Sequence, residues 1–171
     1  MKRITCITLG LLMIQINLFG QDLWELDSRN GFKDLKLGSN VEQYEGVVLV
    51  GPAEDESVPE GKRYTAKSGY YQDIGGIKIT GLDVNVYRSQ IYSISVKTVK
   101  DPNLLKALRK AFGKPAQILG NSSYEWKTDK LILFFRSYSK QEIELFYNSF
   151  DMRKKMKEDK DKKVQEIADD F

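Results

Sequence analysis

The sequence contains no histidine and a single cysteine, and both scarcities limit the chemistry that the chain can perform. Without an imidazole there is no Ser–His–Asp triad and no Cys–His pair. Zinc sites, iron–sulfur clusters and thiol–disulfide exchange draw on the same two residue types. Carboxylate, lysine and tyrosine chemistry, oxygen-ligand cation sites and binding without catalysis remain. We therefore expect a protein that is not an enzyme, with no catalytic residues, no metal site and no cofactor.

The N-terminus has the order of a secretory signal peptide. Lys2 and Arg3 give a positive start, residues 4–14 form an apolar run, and Gly20 supplies a small residue for cleavage. The sequence predicts a leader over residues 1–20, cleaved after about Gly20, and therefore an exported protein that is periplasmic or secreted.

Three residues of this leader distinguish a cleaved signal peptide from a membrane span and from a lipid-modified N-terminus. Gln15 and Asn17 interrupt the apolar run, and a membrane span needs about 20 mostly apolar residues, so we do not expect a spanning helix. Cys6 lies at the front of the run and is not placed like a lipid-modified cysteine. Removal of the leader takes away this cysteine, so the mature chain has no disulfide and must be stabilised by an apolar core.

The charge balance gives no indication of a polyanionic partner. The formal net charge is +3, and loss of Lys2 and Arg3 with the leader leaves +1. A nearly neutral protein has no electrostatic reason to bind nucleic acid or an anionic membrane. The oligomeric state stays open.

The first part of the mature chain is irregular. Residues 22–38 predict a short element followed by an extended arm. Ser39 and Glu42 have the spacing of a capping box, which predicts a short helix over 39–46. Residues 47–50, VVLV, are apolar and β-branched and predict a buried strand.

The centre of the chain, residues 62–99, predicts a strand and then an antiparallel hairpin with one polar face. The apolar phase changes at Gly81, which indicates a bulge, and residues 88–90 turn the chain. In the second strand of the hairpin, Tyr92, Ile94 and Val96 alternate with Ser93, Ser95 and Lys97.

The stretch 101–115 combines Gly and Lys in a way that invites comparison with a phosphate-binding loop. Asp101 and Pro102 are, however, typical of a helix start, and Gly113 and Pro115 of a helix end. A phosphate loop has its glycines before a helix, not after one. FGKP is therefore interpreted as a helix stop, and the runs 122–128, 130–137 and 141–148 after it predict an antiparallel meander.

The succession GFKDLKLGSNVEQYEG, hairpin, LLKALRKAFGKP and YEWKTDKLILFF resembles small exported envelope domains of the SmpA/OmlA type and β-lactamase-inhibitor-protein-like domains. The whole chain, ending in IADDF, resembles an uncharacterised family of small secreted envelope proteins. The resemblance implies helices packed on antiparallel strands and supplies no catalytic residues.

Together these patterns predict an α+β protein with one domain over 21–150. Its sheet is predominantly antiparallel with helices packed on one face, and residues 151–171 form a mixed-charge C-terminal helix. Its function is predicted to be that of an exported binding module for a protein or peptide partner, through one sheet face or its aromatic loops. A carboxylate-dependent glycan-acting enzyme and a carrier of a small ligand or ion are the alternatives.

The candidate binding residues are aromatic or basic. Aromatic side chains suit a sugar or protein site, and the predicted ones are Tyr70, Tyr71, Trp126 and Tyr138. Of the adjacent pair Tyr70 and Tyr71, only one ring is expected to face inward. For Trp126, a core or half-buried role is expected ahead of a binding role. The basic side chains Lys106, Arg109 and Lys110 suit an anionic headgroup or glycan, but a solvated helix face accounts for them better.

Two acidic groupings suggest other chemistry. The loop acids Glu54, Asp55, Glu56 and Glu60 offer oxygen ligands but lack the spacing of a calcium loop, and a solvated loop accounts for them better. Asp83 and Glu125 would be the carboxylate pair of a glycan-acting enzyme, if the fold brings them together.

Overall fold

The computed structural model describes residues 20–55, 58, 60–115, 117–119 and 123–171. The predicted leader, residues 1–20, lies outside this part except for its last residue. The fold is α+β, and the described residues form three helices, α1 (Gly20–Arg29), α2 (Pro102–Phe112) and α3 (Phe150–Asp169), with a 3-10 turn over Val41–Gln43. Of these helices, none combines the length and the apolar character that crossing a bilayer requires.

The strands pair antiparallel, mostly with strands that are their neighbours along the chain. They are β1 (Gly31–Phe32), β2 (Leu35–Lys36), β3 (Val47–Pro52), β4 (Lys62–Ala66), β5 (Asp73–Ile74), β6 (Ile77–Tyr87), β7 (Gln90–Val99), β8 (Gln117–Leu119), β9 (Ser123–Lys127), β10 (Leu131–Ser137) and β11 (Glu142–Ser149). The main sheet has the order β3-β4-β6-β7-β11-β10-β9-β8, β5 pairs with β6, and β1 pairs with β2. The predicted hairpin is β6–β7 and the predicted meander is β9–β10–β11.

One face of the main sheet carries the core, and α1 and α2 cover it. The buried side chains of α2, Leu104, Leu108 and Phe112, pack in one cluster with those of the sheet, among them Val84, Ile94, Val96, Leu133 and Leu145. We call this side the helix-covered face. The other side, called the open face, contains the cross-strand row Thr65, Asp83, Ser95, Phe146, Phe134 and Glu125.

Helix α2 forms as its sequence predicts. The Asp101 side chain accepts a hydrogen bond of 2.7 Å from the Asn103 N–H, and Gly113 ends the helix with φ 73°. That left-handed φ is a conformation that glycine adopts without strain. The Gly113 carbonyl accepts a 3.0 Å hydrogen bond from the Trp126 indole N–H, which ties the helix stop to β9.

Three local predictions are wrong. Within 39–46, only Val41–Gln43 is helical, as one 3-10 turn that ends at Tyr44 in extended backbone. Its cap is Asn40 and not Ser39, since the Asn40 side chain accepts from the Glu42 N–H at 2.9 Å. The VVLV strand is not buried: β3 lies at the edge of the sheet, and only Val47 is covered.

The third error concerns Tyr92. Ser93 pairs with Asn85 but Ile91 with Val86, so Tyr92 is the extra residue of a bulge. Its side chain therefore does not join that of Ile94 in the main core. It packs in a second, smaller cluster with Val58, Tyr87 and Met152. The predicted bulge at Gly81 is confirmed by a register shift between Ile79 and Gly81.

The C-terminal helix is confirmed, and it begins one residue earlier than predicted. Ser149 caps α3 by accepting a 3.2 Å hydrogen bond from the Met152 N–H. Met152 is buried, whereas Val164 and Ile167 in the second half are 60% and 52% exposed. The helix therefore docks through its first turns.

Candidate functional site

The open face holds a groove of about 360 Å³ that runs along β7. Its floor is made by Ser93 and Ser95, which are small and lie on the same side of the strand. Larger side chains on both flanks leave these serines only 1% and 7% exposed. We call this feature the β7 groove.

One wall of the β7 groove is formed by β4 and β6. The Asp83 carboxylate lies 3.4 Å from the Lys97 ammonium and 3.6 Å from the Arg63 guanidinium. The same Arg63 binds Glu54 at 2.8 Å, and the Asn85 amide donates a 3.1 Å hydrogen bond to Ser93 Oγ. These contacts hold the polar side chains in fixed positions.

The other wall comes from β11 and β10. Glu144 is 6% exposed, and its two carboxylate oxygens accept hydrogen bonds from Ser95 Oγ at 2.5 Å and from Arg136 Nε at 2.6 Å. Phe146, half-buried beside it, has the Arg136 guanidinium 5.5 Å from its ring centroid. Both oxygens of this carboxylate are engaged, so Glu144 is held in place between β7 and β10.

Tyr138 and Lys97 close one end of the β7 groove. The Lys97 ammonium lies 4.4 Å from the centroid of the Tyr138 ring, which is a cation–π distance. Burial lowers the pKa of Lys97, but hydrogen bonding to Tyr138 and the charge of Asp83 outweigh it, so the pKa is raised above its ordinary value. Lys97 is therefore a permanent cation at this end.

Tyr92 and Arg153 form the other end. The Tyr92 side chain is 1% exposed, and burial, followed by the charge of Asp55, raises its pKa to about 12. Arg153 lies 5.1 Å from the Tyr92 ring centroid and binds Asp55 at 3.0 Å. The Tyr92 hydroxyl and Arg63 Nε are both buried and have no hydrogen-bond partner in the part of the chain that the structure describes.

A second surface lies at the edge of the sheet. Val48, Leu49 and Val50 of β3 are 44%, 50% and 51% exposed. Tyr70 and Tyr71 stand beside the start of this strand, because a Cβ added to Gly46 would lie only 2.7 Å from the Tyr70 ring and 2.8 Å from the Tyr71 ring. Glycine at position 46 is what allows both rings to approach the backbone.

The Tyr70–Tyr71 pair divides as the sequence predicts, with one ring outside and one inside. Tyr70 is 47% exposed, whereas Tyr71 packs against the main core and donates a 3.1 Å hydrogen bond to Asp34. Burial and the charge of Asp34 raise the pKa of Tyr71 above its ordinary value.

The remaining predicted residues are distributed over different surfaces. Tyr138 lies in the β7 groove, but Trp126 is 0% exposed and contributes to packing. Lys106, Arg109 and Lys110 are exposed on α2, which covers the opposite side of the sheet from the groove. The seven predicted residues therefore do not form one site.

The acidic groupings also separate. Glu54, Asp55 and Glu60 each lie within ion-pair distance of a different arginine, and Glu56 is outside the described residues. Within the described ranges, no group of three or more acidic side chains converges as a metal site would require. Asp83 and Glu125 share one cross-strand row but stand four strands apart, about 19 Å. Catalytic carboxyl pairs lie about 5–10 Å apart, so these two do not form one.

Sequence analysis did not identify the β7 groove, although part of its signal was visible. Ser93, Ser95 and Lys97 form a polar phase in the sequence of β7. Two adjacent serines on that phase indicate a depression, because their neighbours on other strands are larger. Glu144 and Arg136 meet these serines only through strand pairing, which the sequence does not display.

Comparison with protein-family models, with curated proteins and with solved structures finds no match for this chain. The resemblance to SmpA/OmlA-type and related envelope domains therefore stays a prediction, and the β7 groove and the edge of β3 are the two candidate surfaces.

Proposed function

We propose that this protein is a non-enzymatic, exported binding module of the cell envelope that recognises an extended segment of a protein or peptide partner. The segment adds to the main sheet along the outer edge of β3. The observation that supports this proposal is the exposure of three consecutive apolar side chains, Val48, Leu49 and Val50, on an edge strand.

The backbone of β3 offers the chemistry for strand addition. One side of the strand pairs with β4, and no other described strand pairs with its opposite side. An edge strand of this kind presents N–H and C=O groups to an incoming extended chain, and main-chain hydrogen bonds then supply affinity. Successive side chains point to opposite faces, so Val48 and Leu49 offer apolar contacts on both sides of an added strand.

Features that normally prevent edge pairing are confined to one end of β3. The strand VVLVGP has no charged residue, whereas proteins commonly protect edges with lysine, proline or a bulge. The register shift between Leu49 and Gly51 and the proline at position 52 occupy its C-terminal end. The pairing positions that remain are those of residues 47–49, with Tyr70 at their start.

The test is a pull-down from an envelope extract with the purified chain as bait, comparing Val48→Lys with Val164→Lys. Both substitutions place the same charge at an exposed valine, 44% exposed on β3 and 60% exposed on α3. We expect the wild type and Val164→Lys to retain the same partner and Val48→Lys to lose it. Circular-dichroism melts of all three proteins verify that the variants are folded.

Equal recovery of the partner by both variants contradicts the proposal, and so does recovery of no partner by the wild type. Light scattering measures the oligomeric state and so tests whether a second copy of the chain occupies the edge of β3. A wild-type dimer that becomes monomeric in Val48→Lys assigns the edge to a second copy of the chain and also contradicts the proposal.

Export is a separate part of the proposal. Mass spectrometry of the protein isolated from its native host is expected to find an N-terminus at Gln21. A retained leader beginning at Met1 contradicts export by this route.

A further inference from the structure

The pairing of β3 with β4 determines which main-chain groups of β3 face outward. In an antiparallel pair, residues that exchange hydrogen bonds with the neighbouring strand alternate with residues that do not. The Lys67 N–H donates a 2.9 Å hydrogen bond to the Gly46 carbonyl, so Gly46 faces β4. In the register that continues from this pair, Val48 is the next residue to face β4. The N–H and C=O groups of Val47 and Leu49 therefore point away from β4, toward the outer edge.

Of these two outward residues, Leu49 is the one that an incoming chain can reach. Leu49 is 50% exposed, whereas Val47 is only 6% exposed. Two tyrosine rings stand against Gly46, directly before Val47, and close this end of the edge. At the other end, Pro52 has no N–H to donate. Main-chain pairing along the outer edge of β3 is therefore centred on Leu49.

The side chains around Leu49 determine what an added strand contacts. Leu49 pairs with Tyr64, which in turn pairs with the core residue Val84, so the Leu49 side chain lies on the helix-covered face. Because successive side chains point to opposite faces, Val48 and Val50 lie on the open face. They are 44% and 51% exposed. A partner residue opposite Leu49 therefore has its two chain neighbours beside these valines.

We infer that the bound segment is held in one register, with its middle residue paired to the main chain of Leu49 and an apolar residue on each side of it. This inference rests on the function proposed above and specifies the partner for the same edge. The two flanking side chains lie against Val48 and Val50. A charged side chain at either flanking position would be placed on apolar surface, which costs free energy. The recognised sequence is therefore apolar, variable, apolar.

Leu49→Pro and Leu49→Val test the main-chain contact, by titration with the partner that the wild type captures from envelope extract. Proline removes the outward N–H of position 49, and edge strands tolerate proline where that N–H faces solvent. Valine has a side chain of similar size and keeps the N–H. We expect Leu49→Pro to bind about tenfold more weakly than Leu49→Val, because one hydrogen bond is lost and a partner carbonyl is left unpaired. Circular-dichroism melts verify that both variants are folded.

Overlapping peptides that tile the captured partner test the register without any change to this chain. Aspartate is placed in turn at each position of the peptide that binds. We expect two sensitive positions separated by one tolerant position, because the flanking side chains lie against Val48 and Val50 whereas the middle one lies on the other face. This measurement also decides the question if Leu49→Pro does not fold.

Equal affinity of folded Leu49→Pro and Leu49→Val for the partner overturns the inference. If Val48→Lys nevertheless loses the partner, the edge of β3 remains the binding site and only the register is wrong. An aspartate scan with adjacent sensitive positions, or with none, overturns the register in the same way. If the wild type captures no partner, the proposed function fails and this inference fails with it.

Discussion

The two tryptophans of this chain allow a direct test of whether Trp126 stabilises the fold or binds a partner. Trp126 is 0% exposed and donates a 3.0 Å hydrogen bond to the Gly113 carbonyl, whereas Trp24 on α1 is 66% exposed. A buried Trp→Ala substitution typically costs about 3–5 kcal/mol in the free energy of unfolding. We expect Trp126→Ala to fall in this range.

Trp126→Phe divides this cost into its parts. The lost hydrogen bond contributes about 1 kcal/mol, and the smaller ring leaves a packing defect of about another 1 kcal/mol or more. At about 2–4 °C per kcal/mol for a chain of this size, the melting temperature should fall by about 4–8 °C. Urea unfolding followed by circular dichroism measures the free energy, and fluorescence of the remaining tryptophan follows the same transition.

Trp24→Phe is the control, since an exposed substitution usually changes stability by less than about 0.5 kcal/mol. The reasoning is refuted if Trp126→Phe and Trp24→Phe have equally small effects. It is also refuted if Trp126→Phe abolishes partner capture while leaving the unfolding free energy unchanged, because Trp126 would then act as a binding residue.

Two further predictions concern stability. Asp101→Ala should lower the free energy of unfolding by about 1 kcal/mol, since it removes the cap of α2, and loss of less than about 0.3 kcal/mol in urea denaturation contradicts that role. A pH series should show stability falling between pH 10 and 12, because the pKa of Tyr92 is raised from 10.0 to about 12 in the folded chain. The unfolded chain then loses the Tyr92 proton first, so this contribution is complete below pH 10 and is lost as the pH rises through the folded pKa. Tyr92→Phe should reduce the fall, and an identical pH dependence in both proteins is the contrary result.

Short-range signals made several elements predictable. Asp101, Pro102 and Gly113 act on backbone groups within a few residues of themselves, so the bounds of α2 follow from the sequence. The bulge at Gly81 and the two-residue turn at Arg88 and Ser89 are also local. The same reasoning failed at residues 39–46, where Asn40 competes with Ser39 for the cap and the Ser39 hydroxyl donates to the Lys36 carbonyl instead.

The positions of the two candidate surfaces were not predictable in this way. VVLV has the composition of a central strand, and whether it is central or at an edge depends on how many strands pair with it. Only β4 does so among the described strands. The Tyr92 side chain does not share the face of Ile94 and Val96, because β7 has an extra residue where it pairs with β6. No alternation pattern within β7 reveals that extra residue.

The sequence alone determined the composition limits, the α+β class, the helix stop at Gly113 and the hairpin, because these depend on residue type and on neighbours along the chain. The tertiary structure decided that β3 is an edge and that Ser95 meets Glu144 across 49 positions of sequence. Contacts of that separation arise only when strands pair, and each pairing depends on the burial gained by the whole sheet rather than on the two residues it joins.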